Sequence, residues 1–576
     1  MDLLTNSHQA TTSRESFLEA VSFLLALTLA ILTGGTYLLS LAAFALGFSL
    51  TPAMLLAAAI AAVGVLLFLL RGNGTRYQLT AAVLTLLSVA VLAVLSTLAA
   101  QPFFDLSGDG QWYHQEAIIQ LANGWNPWHE TPDVPQTMNT DVWVTSYPKG
   151  LWTLAALIYQ LTGDIEAGKG LHFVLALMAT LLAFPALVVL GVPRWQAAIL
   201  AVLVVWNTTV IIQLFSYYND GDVYCITVGF LAAGILYMKR GGGGRFLAVF
   251  LLAILGVTAK FLSLFYCAIA VVGLVVLGSL LSGLRARIRL AAPMILGLTI
   301  GFIAEPTYVK NFREHGHVLY PVMGDEAILA DWMEGGPRDF AQLGRLEDLI
   351  FTLFGHPELT FEHTGEVSVK MPFTISENDL LAFKHWPDPT VAGHGVLFGE
   401  IFVVGLLLLL VVTERIREPI TTAIVGSSVF LVLLSVLAKP YVWYARYNAQ
   451  LWLFPVIALV LYGSRGQKIR GWLSHGFACL LAVLMLINFL VVARTYVAGQ
   501  MELTQYVTEQ LELARTEAAG RTAYVAFGHL RSNRLRWTKL GIRFQEVADV
   551  AALPCAEPKR IDFAHTMYCL EATDSN

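Results

Sequence analysis

Carboxylates are concentrated between residues 101 and 167 of the sequence. This stretch holds eight acidic residues and a single basic one, Lys149, so local ion pairing cannot neutralise all of the carboxylates. Asp109 lies between two glycines, which let the backbone bend and approach a ligand closely, and Asp105 precedes it by four residues. Some of these carboxylates must therefore serve another purpose or face water.

Aromatic side chains follow these carboxylates. Trp112, Tyr113 and His114 come directly after them in the sequence. An aromatic ring can stack on the apolar face of a sugar while a neighbouring carboxylate accepts hydrogen bonds from its hydroxyl groups. The alternative interpretation is a solvated acidic loop whose aromatic residues anchor at lipid headgroups.

A second acidic pair, Asp220 and Asp222, falls in a polar turn between two apolar runs. Asn, Asp and Gly are common in such turns for conformational reasons alone, which is one interpretation. Asp222, however, lies at the edge of an apolar segment, where a charge is costly. Both residues are therefore candidate substrate-binding residues.

Two cations lie beside apolar segments. Lys260 stands between two apolar runs, and an ionisable residue at membrane depth costs about 2.5–3.5 kcal/mol, which makes it a candidate functional residue. Its alternative role is to snorkel towards the headgroups. Arg446, followed by Tyr447, lies in a basic and aromatic turn, and its planar guanidinium suits a pair of phosphate oxygens.

Unpaired carboxylates and isolated cations together fit a reaction between a lipid-phosphate donor and a hydroxyl acceptor. The cations would hold the phosphate and stabilise it as it leaves, and a carboxylate would take the proton of the acceptor. The metal- and nucleotide-binding patterns HExxH, CxxC and GxxxxGK[ST] do not occur in the sequence.

The elements that must position these residues are membrane helices. Of the 576 residues, 56% are hydrophobic and only 13% are charged, and the mean hydropathy is +0.65. Soluble proteins carry about 25% charged residues, so a soluble globular enzyme and a disordered chain are both excluded. The net charge of −5 and the pI near 6.2 lack the basic footprint of a nucleic-acid-binding protein. The composition predicts an all-α polytopic membrane protein.

Apolar runs of sufficient length predict about 13 transmembrane helices. A bilayer core about 30 Å thick needs about 20 apolar residues per helix, and fewer where helices are short or broken. The predicted segments are 17–47, 53–70, 78–100, 168–190, 197–215, 223–238, 246–259, 261–284, 290–306, 396–412, 420–438, 449–463 and 472–493.

Basic residues orient this topology. Short cytoplasmic loops carry the excess of Lys and Arg, and every second loop is basic if the N-terminus is cytoplasmic. The outer side then receives a loop at 101–167, a second loop at 307–395 and the tail from 494 onward. We therefore expect an integral protein of the bacterial inner (plasma) membrane with an extracytoplasmic C-terminus.

The tail 494–576 predicts a small extracytoplasmic α/β domain. A polar helical stretch at 500–519 precedes a short β-like run at 522–527. Cys555 and Cys569 lie close together in the tail, in a compartment where a disulfide can persist. The sequence leaves open whether these two cysteines form a disulfide bridge or remain free thiols.

Short motifs in a fixed order give the chain a resemblance to a known group of enzymes. Residues 78–493 resemble the C-type (GT-C) glycosyltransferase superfamily, polytopic enzymes that use polyprenyl-phosphate-linked sugars and include protein O-mannosyltransferases and the lipid A aminoarabinose transferase. The matching motifs are Asp105 and Asp109 with Tyr113-His114, Ser146-Tyr-Pro148-Lys-Gly150, Thr258-Ala-Lys260, Asn311 through Tyr320-Pro321, and the Arg446-Tyr447 turn before a helix that contains Pro455.

The resemblance implies roles for the candidate residues. In the superfamily an early-loop aspartate is the catalytic base, and the reaction usually inverts the anomeric centre. Asp109, or else Asp105, would take this role, and Lys260 and Arg446 would contact the phosphate. Some members require a divalent metal ion and others do not, and the candidate ligands here would be Asp109 and Asp222. The other expected substrate-binding residues are Trp112, Tyr113, His114, Asp220 and Tyr447.

The chain departs from the superfamily pattern in two respects. The acidic motif follows the third predicted helix instead of the first, so either a hairpin has been added within residues 1–77 or the predicted number of helices before the motif is wrong. The aspartates are four residues apart, whereas neighbouring acidic pairs are usual. That spacing would put both on one face of a helix, but Gly108 and Gly110 predict a non-helical segment.

The predicted function is that of an inverting glycosyltransferase on the outer face of the membrane. It would move a sugar from a polyprenyl-phosphate donor to a lipid, glycan or protein acceptor of the cell envelope. The alternatives are a lipid-linked sugar flippase or another multi-pass transporter, and a non-catalytic envelope assembly protein. Transporters commonly show paired halves and ionisable residues near the bilayer midplane, and neither is clear in this sequence.

Overall fold

A computed structural model of the chain is mostly helical. It describes residues 15–71, 75–281, 284–328, 343–359, 368–416, 418–439, 441–469 and 471–570, without the side chains of 284–286 and 466–469. Among the described residues, eight helices are long and apolar enough to cross a membrane. They are Phe17–Ala45, Thr75–Ala100, Ile165–Val189, Asp220–Arg240, Phe261–Leu281, Arg287–Ala304, Pro419–Leu437 and Trp472–Ala518.

Further helices fall on the remaining predicted segments. They are Ala53–Leu69, Arg194–Val205, Thr208–Gln213, Gly243–Thr258, Phe398–Ile416 and Leu453–Ile469. Each predicted apolar segment thus overlaps a helix, but in the described part of the chain only eight helices have the length and hydropathy of a span. The total of 13 transmembrane helices therefore stays a prediction.

The helix Asp220–Arg240 lies at the centre of the helical bundle. Of its most apolar stretch 89% is buried inside the protein, against 17% for Thr75–Ala100, which lies at the periphery. Small residues permit this packing, because they let neighbouring helices approach closely. At Gly234, for example, an added Cβ would meet the side chain of Leu274 at 2.6 Å.

The described residues of the segments predicted as outer loops form several helices, and we call the side of the bundle where they lie the loop face. The first contains a π-helical turn at Gly110–His114 and helices at Gln115–Ala122, Thr140–Ser146 and Gly150–Thr162. The second contains helices at Pro306–His315, Arg345–Phe354 and Glu377–Leu381, while Trp332 lies outside the described residues. A 3₁₀ segment at Ala445–Trp452 precedes the helix Leu453–Ile469.

The helix Trp472–Ala518 connects the bundle to the C-terminal domain. Its 47 residues give a length of about 70 Å, more than twice the thickness of a bilayer core. The predicted polar helix at 500–519 is therefore the continuation of a membrane helix and not a separate element. Its last turns pack against a small sheet.

The sheet of the C-terminal domain consists of the strands Ala523–Ala526 (β1), Phe544–Glu546 (β2), Lys559–Ile561 (β3) and Thr566–Leu570 (β4). Their order in the sheet is β2-β1-β4-β3. β1 pairs in parallel with β2 and antiparallel with β4, and β3 pairs antiparallel with β4. The predicted β-like run at 522–527 is β1. A disulfide joins Cys555 to Cys569 of β4, with their Cα atoms 6.0 Å apart.

Candidate functional site

Asp109 lies in the first turn of a short helix on the loop face. Residues 108 and 109 are helical and lead into the π-helical turn, so the prediction that Gly108 and Gly110 prevent a helix here is wrong. Gly110 is instead required by a close contact, because an added Cβ would lie 2.0 Å from Oδ2 of Asp105. The Asp109 side chain is 24% exposed, so an external molecule can reach it.

Arg446 forms the centre of a cluster of carboxylates. Its Nη1 lies 3.5 Å from Oδ2 of Asp109, and its Nε lies 3.8 Å from Oδ2 of Asp220 and 3.4 Å from Oδ1 of Asp388. Arg446 is only 7% exposed. The chain fold thus brings together an arginine and three aspartates that are far apart in sequence, and we call them the Arg446 cluster.

Lys260 joins the Arg446 cluster through Asp220. Its Nζ lies 2.6 Å from Oδ1 of Asp220, and both side chains are buried. The ring of Tyr447 lies beside both cations, 5.4 Å from Nζ of Lys260 and 5.0 Å from the guanidinium carbon of Arg446. The rings of Tyr218 and Tyr444 also face this guanidinium, at 4.7 and 4.8 Å. Aromatic faces attract a cation, so the three tyrosines help to fix the guanidinium in place.

Asp388, the third carboxylate of the cluster, was missed by the sequence analysis. Its Oδ2 accepts a hydrogen bond of 2.7 Å from the hydroxyl of Tyr444. Burial raises the pKa of the Asp388 carboxyl to about 6. The sequence does contain a signal for this residue, because Trp386 precedes Asp388 by two positions. Aromatic residues also lie close to Asp109 in the sequence.

The Arg446 cluster contains buried polar atoms without hydrogen bonds. Among the described residues, neither Nε of Arg446 nor Oδ1 of Asp388 has a hydrogen-bond partner, although the two atoms face each other at 3.4 Å. A buried donor without a partner costs about 1–3 kcal/mol. An anion that accepted a hydrogen bond from this nitrogen would recover that cost.

Asp105, the other candidate base, has a different environment. It is 1% exposed, and its Oδ1 accepts a hydrogen bond of 3.0 Å from the backbone N–H of Ser107. Its Oδ2 accepts one of 2.8 Å from the backbone N–H of Tyr217. Burial raises its pKa. Both oxygens are therefore used to hold backbone segments together.

Trp112, Tyr113 and His114 lie in a buried aromatic cluster. The Trp112 indole donates a hydrogen bond of 2.7 Å to Thr140, and His114 Nδ1 accepts one of 2.6 Å from Trp152. Burial holds the pKa of His114 well below its usual value, and the positive charges of nearby cations lower it further. All three side chains are buried, and their predicted part in substrate binding stays a prediction.

Asp222 points to a separate partner. Its Oδ2 lies 2.7 Å from Nδ1 of His172, whereas Asp109 contacts Arg446 and Tyr218. Residues two positions apart in a helix lie on different faces, so the side chains of Asp220 and Asp222 have different partners. Within the described residues no group of three or more His, Cys, Asp or Glu side chains could hold a metal ion. Asp109 and Asp222, the candidate metal ligands, thus have different partners, and the divalent ion stays a prediction.

Two solved structures have an overall fold similar to that of this chain. No family model and no curated protein sequence matches it. ArnT from Cupriavidus metallidurans bound to undecaprenyl phosphate is 13% identical, with a TM-score of 0.44 over 85% of this chain and 98% of that chain. The apo state of the same ArnT is 12% identical, with a TM-score of 0.43 over 82% and 87%. The likeness concerns the fold alone.

Proposed function

We propose that the protein is an inverting glycosyltransferase that acts on the outer face of a bacterial inner membrane. Its donor is a polyprenyl-phosphate-linked sugar, and its acceptor is a hydroxyl group on a lipid, glycan or protein of the cell envelope. The observation that carries this proposal is the partly exposed carboxylate of Asp109 at 3.5 Å from a buried arginine. Undecaprenyl phosphate, which is bound in the ArnT structure, belongs to the same class of lipid phosphates.

The cations of the Arg446 cluster suit the phosphate of the donor. Arg446 offers a planar donor fork whose Nε makes no hydrogen bond among the described residues, and Lys260 offers a second positive charge beside Asp220, which Arg446 also contacts. Both would gain stronger partners as negative charge develops on the departing phosphate, which lowers the barrier to the reaction.

Asp109 suits the part of general base. It takes the proton of the acceptor hydroxyl while the acceptor oxygen forms a bond to the anomeric carbon of the sugar. The bond between that carbon and the phosphate oxygen breaks at the same time, and its electron pair leaves with the polyprenyl phosphate. Attack from the side opposite to the phosphate inverts the anomeric centre. Asp105 has no such role, because backbone N–H groups occupy both of its oxygens.

The test is the transfer activity of Asp109→Asn in the purified full-length protein. We expect kcat to fall by about 10²–10⁴-fold, the usual contribution of a general base, while the protein stays folded. Asp133→Asn is the matched control, because Asp133 belongs to the same segment and its side chain is 92% exposed. Full activity of Asp109→Asn would exclude Asp109 as the base.

A second measurement identifies the substrates. Mass spectrometry of envelope glycans and lipids from a strain that lacks the gene, compared with the parent strain, should reveal one missing sugar on one acceptor. Restoration of that sugar by the wild-type protein, but not by Asp109→Asn, would link the product to this site. Restoration by both would contradict the assignment.

A further inference from the structure

The backbone on both sides of Asp109 is held by the C-terminal domain. Leu106, three residues before Asp109, is buried in the apolar core of that domain together with Val507 and Trp537. Gln111, two residues after Asp109, is 1% exposed and is hydrogen-bonded to the same domain. Asp109 therefore lies between two residues, Leu106 and Gln111, that are both bound to the C-terminal domain.

Gln111 makes four hydrogen bonds to the C-terminal domain. Its side-chain oxygen accepts from Nδ2 of Asn533 at 3.0 Å and from Nη1 of Arg536 at 3.4 Å. Its side-chain nitrogen donates to the carbonyl of Phe563 at 3.0 Å, and its backbone carbonyl accepts from the hydroxyl of Ser532 at 2.9 Å. A buried amide with both ends bonded has one favoured orientation, so these bonds fix the backbone next to Asp109.

Arg536 extends this contact to the other side of Asp109. It is 4% exposed, and its Nη2 donates to the carbonyl of Asp105 at 2.7 Å and to Oε1 of Glu166 at 2.8 Å. One buried guanidinium thus links Asp105 before Asp109, Gln111 after it and the first turn of a membrane helix.

The same domain also contacts the segment that carries Asp388. The Phe563 ring lies 6.3 Å from the ring of Trp386, and Gln500 Nε2 donates a hydrogen bond of 2.7 Å to the carbonyl of His385. Phe563 therefore bridges the segments that carry two of the three carboxylates around Arg446.

We propose that the C-terminal domain sets the position of Asp109 relative to Arg446, with Gln111, Asn533 and Arg536 as positioning residues. This inference rests on the proposed function. None of the three positioning residues is within the Arg446 cluster, so their effect passes through the backbone of Asp109. A displacement of about 1 Å at a reacting group can lower a rate by about 10²-fold.

Asn533→Ala tests the inference, since it removes one bond to Gln111 and one from Arg536 and replaces no residue of the Arg446 cluster. We expect kcat to fall about 10- to 100-fold, while KM for a polyprenyl-phosphate sugar changes less than about twofold. Lys559→Ala is the matched control, because Lys559 lies in the same domain and pairs only with Glu517 at the surface. Ser532→Ala, which removes one bond to the Gln111 carbonyl, replaces Asn533→Ala if that variant does not fold, and should lower kcat about threefold to tenfold.

Combination with Asp109→Asn separates positioning from a general structural effect. If Asn533 acts through Asp109, adding Asn533→Ala to Asp109→Asn lowers the residual kcat no further. The inference would be overturned if Asn533→Ala lowered kcat by the same factor in Asp109→Asn as in the wild type. A folded Asn533→Ala variant with the kcat of the wild type would overturn it as well. The proposed function fails on a different result, which is full activity of Asp109→Asn alone.

Discussion

Two clusters of buried charge on the loop face differ in how completely their atoms are bonded. The first surrounds Lys149 and Glu305, and the second is the Arg446 cluster. The Lys149 ammonium group donates to the carbonyls of Thr145, at 2.9 Å, and Tyr147, and to the hydroxyl of Thr307 at 3.1 Å. A lysine has three N–H donors, so all of its hydrogen-bonding capacity is used.

Glu305 is equally well bonded. Its carboxylate accepts from the backbone N–H of Lys149 at 3.1 Å, from Thr307 at 3.0 Å and from the hydroxyl of Tyr37. Arg446 has five N–H donors but lies 3.3–3.8 Å from its partners, and among the described residues its Nε makes ion-pair contacts without a hydrogen bond. A saturated buried cluster stabilises a fold, whereas an unsaturated one can still bind a ligand.

Lys149→Met would break the saturated cluster and should have the largest effect on stability. The substitution leaves the carbonyls of Thr145 and Tyr147 and the hydroxyl of Thr307 without the donor that Lys149 supplies. We expect a loss of about 1–3 kcal/mol for each buried acceptor left without a donor, and a clear fall in the Tm of the detergent-purified protein.

Lys384→Met provides the control for this prediction. Lys384 is 30% exposed and pairs with Glu502, which is 61% exposed, so its ion pair contributes only about 0–1 kcal/mol. If Lys149→Met kept its Tm and lost activity instead, the Lys149 cluster would belong to the reacting site, and the distinction between the two clusters would not hold.

Arg446→Lys tests the Arg446 cluster, the second of the two clusters compared. Lysine keeps the positive charge, which the three aspartates need, but lacks the planar fork that holds a phosphate. We expect kcat/KM to fall about 10²–10³-fold, or about 2.7–4 kcal/mol, with little change in Tm. Arg465→Lys, at a partly exposed pair with Glu418, should change neither quantity. An active Arg446→Lys variant would remove Arg446 from the phosphate site.

Much of this site could be predicted from sequence because charge is costly beside apolar segments. Lys260 and Arg446 were recognised in that way, and the structure places both in one cluster with Asp109. Their meeting could not be predicted, since Asp109 and Arg446 are 337 residues apart and only the packing of the helices brings them together.

The sequence also could not separate Asp105 from Asp109. The difference between them comes from Tyr217, 112 residues away, whose backbone N–H binds Asp105. Asp388 was missed for a related reason, because it lies in a polar segment where a carboxylate is not unusual. The helices were easier to predict, since apolar runs of sufficient length depend on local sequence alone.

The smallest expected effect concerns the charge balance of the Arg446 cluster. Three carboxylates surround two cations, so a donor phosphate adds a negative charge to a site that already has one in excess. Asp388, with its pKa of about 6, faces Arg446, Asp109 and Asp220. The tyrosine hydroxyl groups of 218, 444 and 447 also lie around it and stay neutral, since their pKa values are raised.

Protonation of Asp388 should therefore strengthen donor binding. Because its pKa is raised, Asp388 is ionised above about pH 6 and becomes neutral below it, which frees Arg446 for the phosphate. We expect KM for the donor to fall about tenfold between pH 7 and pH 5. In Asp388→Asn the KM should be low at both pH values. Asp348→Asn is the control, because burial also raises the pKa of Asp348 to about 6, outside the cluster. A KM that keeps its pH dependence in Asp388→Asn would show that another group controls entry of the donor into the unsaturated cluster.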